Sequence, residues 1–342
     1  MTEKTHGGRM PQRPRMQDIA DVTGFTVKTV SRALSGEPNV RATTREAVLA
    51  EAMRIGFQRN DIAAGLRRTG QRMSTVGVML SDLSNPFFPP LLRGIHAVAA
   101  EHGFPIIVAE AAGDASLERA AIEGLLAQRV SGLIVAPTGT DFAYLANELH
   151  FGSVLVFVDS TPLGSAADTV TTANDVSTHE VIAGLIARGH RRIAFLGHPD
   201  AGYGAPLRWE GYLSALREGG IDLDMSIVRR GLTAEAEATA AVDAIFAGED
   251  LPTAVFADNN RLTVGILKSA AYARHAFAMA SFDSLDFADQ FGVTTIDSRP
   301  LEVGRAGAEL FFRRLAAPEL PPLRAHVEAR IHWGGTPLFV PA

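Results

Sequence analysis

The sequence contains no cysteine, which excludes a disulfide framework and any thiolate-held metal and makes reducing surroundings harmless. It has no run of eighteen apolar residues, so no stretch is long enough to cross a bilayer as a helix. The first fifteen residues, MTEKTHGGRMPQRPR, carry charge but lack the apolar stretch of an export signal. Together these absences disfavour export and membrane insertion, and a cytoplasmic protein is expected. Positive charge is also short: 32 Lys+Arg stand against 38 Asp+Glu, a net of −6, which by itself argues against a nucleic-acid binder. Enzyme motifs are missing too. Gly202-Tyr203-Gly204 lacks the third glycine of a dinucleotide fingerprint, no G-x-x-x-x-G-K-[ST] or G-x-S-x-G occurs, and His179-Glu180 is not followed by the second histidine of a zinc-binding helix. The ten histidines are scattered. Neither catalysis nor a metal or cofactor is expected.

What is present is length, apolar content and a lopsided charge. At 342 residues and 46% hydrophobic the chain can bury more than one core, so a multi-domain globular protein is the starting point. Residues 1–72 hold 13 Lys+Arg against 7 Asp+Glu, a net of +6, which leaves 19 against 31, a net of −12, for the rest. A basic head on an acidic body concentrates phosphate attraction at one end.

Within that head, Met16 to Leu34, MQDIADVTGFTVKTVSRAL, reads as two short helices joined at Gly24. Ile19, Ala20, Val22, Val30 and Leu34 are spaced to meet between them, and glycine adopts the positive φ of a tight turn at little cost. Thr26 stands where the second helix needs an N-cap. Val27, Lys28, Thr29, Ser31 and Arg32 then fill that helix's first turns, the part of a helix-turn-helix that reaches base edges in the major groove. An ordinary helical hairpin has the same local pattern. Turn residues at 35–39 and a Thr43/Glu46 capping box predict a third helix with Val48, Leu49, Ala52, Met53 and Ile55 inward.

From Thr75 onward the pattern alternates between strands and helices. TVGVML, PIIVA, GLIVA, VLVFV, RIAFL, TAVFA and AMASF are short aliphatic runs, separated by helix-length amphipathic stretches such as 89–102, 116–129, 176–188 and 234–247. Continuous apolar strands between helices mean parallel sheets covered on both faces. The strands are too many for one sheet, so two doubly wound α/β lobes with a cleft between them are predicted. Ligands bind such sheets beyond the strands' carboxyl ends. There, Asp159 follows VLVFV and Asp283 follows AMASF, each able to accept hydrogen bonds from ligand hydroxyls. After VGVML, a turn delivers Phe87 and Phe88, which could stack on a sugar or base. Taken singly, both also fit a core.

The stretch 16–34, followed by GEPNVRATTREAV, RNDIAAGLRRTGQ and VGVMLSDLSNPFF, resembles the lactose/galactose-repressor (LacI/GalR) family of bacterial transcription regulators over essentially residues 15 to 340. The resemblance implies a flexible tail over 1–14, a helix-turn-helix DNA-binding domain over 15–61, a hinge over 62–74 and an effector-binding core over 75–342. It implies an all-α head and two doubly wound parallel-sheet lobes like a periplasmic sugar-binding protein of type I. The first lobe is expected over about 75–162 and 295–319, the second over about 163–294 and 320–342. It adds Gln17 and Asn39 to the DNA contacts, and in the hinge Ile62, Ala63 and Leu66, the leucine being a wedge for the minor groove. It brings Arg208, in the R-x-x-G-[FY] segment, and Asn259 into the cleft as effector contacts. As a lone residue Arg208 also fits a surface helix. Asn260 and Ser298 depart from the family's usual Asp and Gln. The expected function is a repressor controlled by a small polar ligand, a sugar or related metabolite, acting as a homodimer on a near-palindromic double-stranded DNA operator. The alternatives are a soluble sugar-binding protein of a transport system, or an enzyme built on the same lobes.

Overall fold

The computed structural model describes residues 16–34, 37, 39–55, 74–139, 141–145, 153–162, 166–199 and 204–335. The tail over 1–14 and the hinge candidates Ile62, Ala63 and Leu66 lie outside the described residues. The chain forms two compact units that divide at residues 71/72.

The first unit is helical: α1 (Met16–Thr23), α2 (Val27–Leu34) and α3 (Ala42–Arg54). Gly24 takes φ +73° between the first two. Ile19, Ala20, Val30, Ala33, Val48 and Ala52 make the core. Three residues expected inward point elsewhere: Val22 and Leu49 are exposed, and Met53 is 86% exposed. On α1 the face formed by Met16, Ile19, Ala20 and Thr23 leaves Val22 about a third of a turn away, and on α3 the face through Val48, Ala52 and Ile55 puts Leu49 and Met53 to the far side. The third helix also begins earlier than its capping box: Arg41 is the N-cap, with no side-chain cap, so Thr43 is already helical.

The second unit contains two six-stranded sheets. The first joins β1 (Val76–Leu80), β2 (Ile106–Glu110), β3 (Gly132–Val135), β4 (Val154–Val158), β5 (Asp168–Thr172) and β11 (Arg324–Val327) in the order β11-β5-β4-β3-β1-β2. The second joins β6 (Ile193–Leu196), β7 (Val228–Arg229), β8 (Ala254–Ala257), β9 (Ala278–Phe282), β10 (Thr294–Asp297) and β12 (Arg330–His332) in the order β12-β10-β9-β8-β6-β7. All pairings are parallel except β10 with β12. Helices α4 (Phe88–Glu101), α5 (Ala115–Ala127) and α11 (Pro300–Ala316) accompany the first sheet. With the second go α6 (Asn174–Ala187), α7 (Gly204–Glu218), α8 (Glu235–Phe246), α9 (Asn260–Leu267) and α10 (Ala270–Arg274). No described helix is long and apolar enough to cross a membrane.

Sheet membership corrects the expected lobe bounds. β5 extends the first sheet past residue 162 by pairing with β4, β10 belongs to the second sheet, and β11 returns to the first by pairing with β5. The chain therefore crosses between lobes near 173, 298 and 328. The polar strand β5, DTVTT, hides the first crossing from any apolar pattern, yet every residue in it is buried. Its Asp168 accepts from Arg314 Nε at 2.8 Å and Nη2 at 3.0 Å, which ties α11 to the sheet.

Candidate functional site

The second helix of the head turns its polar side outward. Thr26 caps it as expected: Thr29 N donates to Thr26 Oγ1 at 3.2 Å and Val30 N to the Thr26 carbonyl at 2.9 Å. Because Val30 and Ala33 face the core, Lys28, Ser31 and Arg32 come out on the opposite side, with Val27 and Thr29 on the flanks. Lys28 and Thr26 are exposed and the other four half-buried. Arg32 is engaged within the head, donating from Nε to Glu37 Oε2 at 2.7 Å. Gln17 donates to Asp21 at 2.7 Å, and both Gln17 and Asn39 are exposed.

In the second unit the order of each sheet reverses beside its first strand, between β1 and β3 and between β6 and β8, and ligand clefts form at such switch points. The residues that follow the strands meet there. Asp159 after β4 and Asp283 after β9 both adopt left-handed backbone, at φ +68° and +65°. Non-glycine residues in that region carry strain that the surrounding fold must support. Arg208 on α7 is buried. It donates from Nε to Asn174 Oδ1 at 2.7 Å and from Nη1 to the Asp258 carbonyl at 2.5 Å, and its guanidinium lies 3.7 Å from the Phe282 ring centre. Gly211, the glycine of the same segment, sets this placement: a Cβ there would stand 2.3 Å from the Asp175 carbonyl oxygen, so α7 approaches α6 closely enough for Arg208 to reach Asn174.

Two carboxyl groups here sit above the usual carboxylate range. Loss of solvent pushes Asp159 up to about 6, with the charge of Asp283 adding and those of Arg208 and His198 opposing. Asp283 is raised chiefly by burial, against the pull of Arg208 and of the Ser298 hydroxyl, which donates to it at 2.6 Å. Asp258, also buried, accepts from His198 N at 3.0 Å and Nδ1 at 2.6 Å, joining the ends of β6 and β8.

A cavity of about 600 Å³ opens between the lobes, lined by Pro86, Phe87, Asn260, Asp283, Leu285 and Ser298 among others, a size that suits a small ligand. Both Phe87 and Phe88 are buried in the first lobe's core, and Phe87 also lines the cavity. Asn259 is used locally, accepting from Leu262 N at 2.9 Å to cap α9. Its neighbour Asn260 takes the cleft position and donates from Nδ2 across the lobes to Asn85 Oδ1 at 2.9 Å. Arg261 beside it ion-pairs with Asp82 of the first lobe. Sequence reading passed over Asn174, His198 and Asp258. The rule that found Asp159 and Asp283, a polar residue just beyond an apolar strand, also points to Asp258 and His198 when applied to every strand.

A helix-turn-helix head and a two-lobed core of the periplasmic-binding type, carried on one chain, define a class of ligand-responsive regulators. The family described as "Bacterial regulatory proteins, lacI family" matches residues 15–60, and "Periplasmic binding proteins and sugar binding domain of LacI family" matches residues 73–319. The chain is 30% identical to the transcriptional regulator GalS of Salmonella typhimurium over 253 residues, 74% of each chain. It is 26% identical to the transcriptional repressor CytR of Escherichia coli K12 over 297 residues, 85% of this chain and 86% of that one. Its fold superposes on the Lac repressor dimer bound to operator and the anti-inducer ONPF with TM-score 0.83, at 21% identity, covering 95% of this chain and 99% of that one. The chain belongs to the LacI family, and it is a DNA-binding transcriptional regulator with a ligand-binding core. The reading as a transport binding protein is not favoured, since the family match includes the DNA-binding head.

Proposed function

We propose that this protein is a cytoplasmic, non-catalytic repressor that binds a near-palindromic operator as a homodimer and is controlled by a small polar effector in the interlobe cleft. One observation carries the reading: buried Arg208 and Asp283, with half-buried Asp159 beside them, gathered where the strand ends of the two lobes face each other, in a chain that also bears an exposed recognition helix. Val27 is placed to touch a thymine methyl and Lys28 to donate to guanine. Leu66, Ile62 and Ala63 are assigned to minor-groove insertion on the family resemblance. Among the cleft candidates, Asp159, Arg208, Asp283 and Phe87 are assigned to the effector. Phe88 and Asn259 act in support, one filling the core and the other capping α9.

The cross-lobe pairs Asp82–Arg261 and Asn85–Asn260 tie effector binding to lobe arrangement, because a ligand that favours one arrangement must alter the strength of both. Coupling of this kind is reciprocal: operator DNA shifts effector affinity by the factor by which effector shifts operator affinity. The test is an electrophoretic shift on the protein's own promoter region, with and without a ligand found by thermal-shift screening. A retarded band that responds to ligand is expected, with the response lost in Arg208→Ala. A protein that retards no promoter fragment, or an Arg208→Ala variant responding normally, overturns the scheme.

A further inference from the structure

Lys28 and Arg32 stand one turn apart on the outward side of α2. Lys28 is exposed, whereas Arg32 donates from Nε to Glu37 Oε2 at 2.7 Å. Glu37 lies beyond the helix, in the turn that leads to α3, yet its backbone is fixed on both sides. Its N donates to the Arg32 carbonyl at 3.2 Å, and its own carbonyl accepts from Val40 N at 3.3 Å and from Arg45 Nη2 of α3 at 2.5 Å. Val40 packs against the head's apolar centre, so the Glu37 carboxylate is carried on a segment tied to that centre. A guanidinium is planar and rigid, so a bond at Nε sets its plane and leaves the two terminal nitrogens as a fork at the far end. Among the described residues no partner occupies that fork, whose shape matches O6 and N7 of guanine. Stability does not account for the pair, since both side chains are 40% exposed and ion pairs in such surroundings contribute little. A carboxylate beside a recognition helix also repels phosphates and weakens DNA attraction in general. What it supplies in return is order: the long Arg32 side chain is oriented before DNA arrives, which lowers the entropy lost on binding.

We propose that Glu37 is a positioning residue for DNA recognition, holding the Arg32 guanidinium so that its terminal nitrogens read one guanine in each half-site. The proposal rests on the reading of α2 as the recognition helix. The test uses the full chain in electrophoretic competition at one fixed salt concentration, with the retarded promoter fragment, its single-base variants and an unrelated duplex. Arg32→Ala is expected to lower preference at one base pair by about tenfold or more, which marks the pair that Arg32 reads. Glu37→Ala is expected to lower preference at that same pair by about threefold to tenfold, with binding to the unrelated duplex no weaker. Glu37→Gln keeps an oxygen able to accept from Nε and is expected to restore the preference to within about twofold. In the Arg32→Ala background the loss of Glu37 is expected to add nothing, as for two residues that act through one contact. Glu37→Ser takes the place of the alanine variant if that one does not fold. The proposal is overturned by unchanged preference in Glu37→Ala, by a change at a different base pair, or by equal weakening of either variant on every duplex. A glutamine variant as poor as alanine, or an effect of Glu37 that persists without Arg32, overturns it too. Each of these outcomes leaves the recognition helix standing. A wild-type chain that retards no promoter fragment overturns the recognition-helix reading and this proposal with it.

Discussion

In the head, Ile19, Ala20, Val30, Ala33, Val48 and Ala52 fill a small apolar centre while Lys28 stands in solvent. In the core unit, Arg208, Asp258 and Asp283 are each less than a tenth exposed. On the proposed function, the two regions keep their working charges in opposite surroundings because their targets differ. DNA brings a dense row of phosphates, so a cation waiting in water gains by displacing counterions. A small ligand must leave water entirely, so the groups that receive it are already desolvated, held by one another, and in part set on strained backbone, as at Asp159 and Asp283. Charges in the head should therefore tolerate removal, and charges in the core should not.

The largest expected effect tests the second half of that contrast. Arg314→Met leaves buried Asp168 without its cation and should cost about 3–5 kcal/mol of stability in urea unfolding. The head's exposed pair Arg32–Glu37, each side chain 40% exposed, should contribute only about 0–1 kcal/mol. Comparable losses from the two would break the comparison.

Next in size is Ile19→Ala, which empties a fully buried site and should destabilise the head by about 2–5 kcal/mol. Retardation of the promoter fragment should fall with it, whereas thermal-shift responses of the core to ligand persist. Loss of both together would mean that the units do not fold separately.

Lys28→Ala sharpens the comparison on the DNA side. Discrimination at one base pair per half-site should drop by about 1–3 kcal/mol, read by competition among operator variants. An equal loss on every sequence would instead assign Lys28 to a phosphate.

The smallest effect concerns pH. Asp159 is raised from 3.8 to about 6 in the folded protein, so between those values the native state binds more protons than the unfolded chain, and stability falls as pH rises through that window. Ligand-free protein should therefore melt lower at pH 7 than at pH 5 by a margin that shrinks in Asp159→Asn. An identical margin in the variant would show that Asp159 stays ionised throughout.

Local pattern in the sequence was enough to identify the helix-turn-helix, the Thr26 cap and the aliphatic strands, and it placed Asp159 and Asp283 at strand ends. Each of these depends on residues within a few positions of one another. Family resemblance added Arg208, whose burial the fold then explained through Gly211. The same local pattern missed β5 and β10, because their Thr and Asp side chains read as polar loop. What makes them strands is backbone pairing with other segments, β5 between β4 and β11 and β10 between β9 and β12, and in β5 a distant cation, Arg314, for the buried Asp168. The place of Asn260 rather than Asn259 on the cavity wall, the burial of both Phe87 and Phe88 and the outward turn of Met53 were likewise settled only by packing. Periodicity restricts which residues can share a face, but which distant group satisfies a buried polar atom depends on where the chain crosses between lobes, and only the tertiary structure decides that.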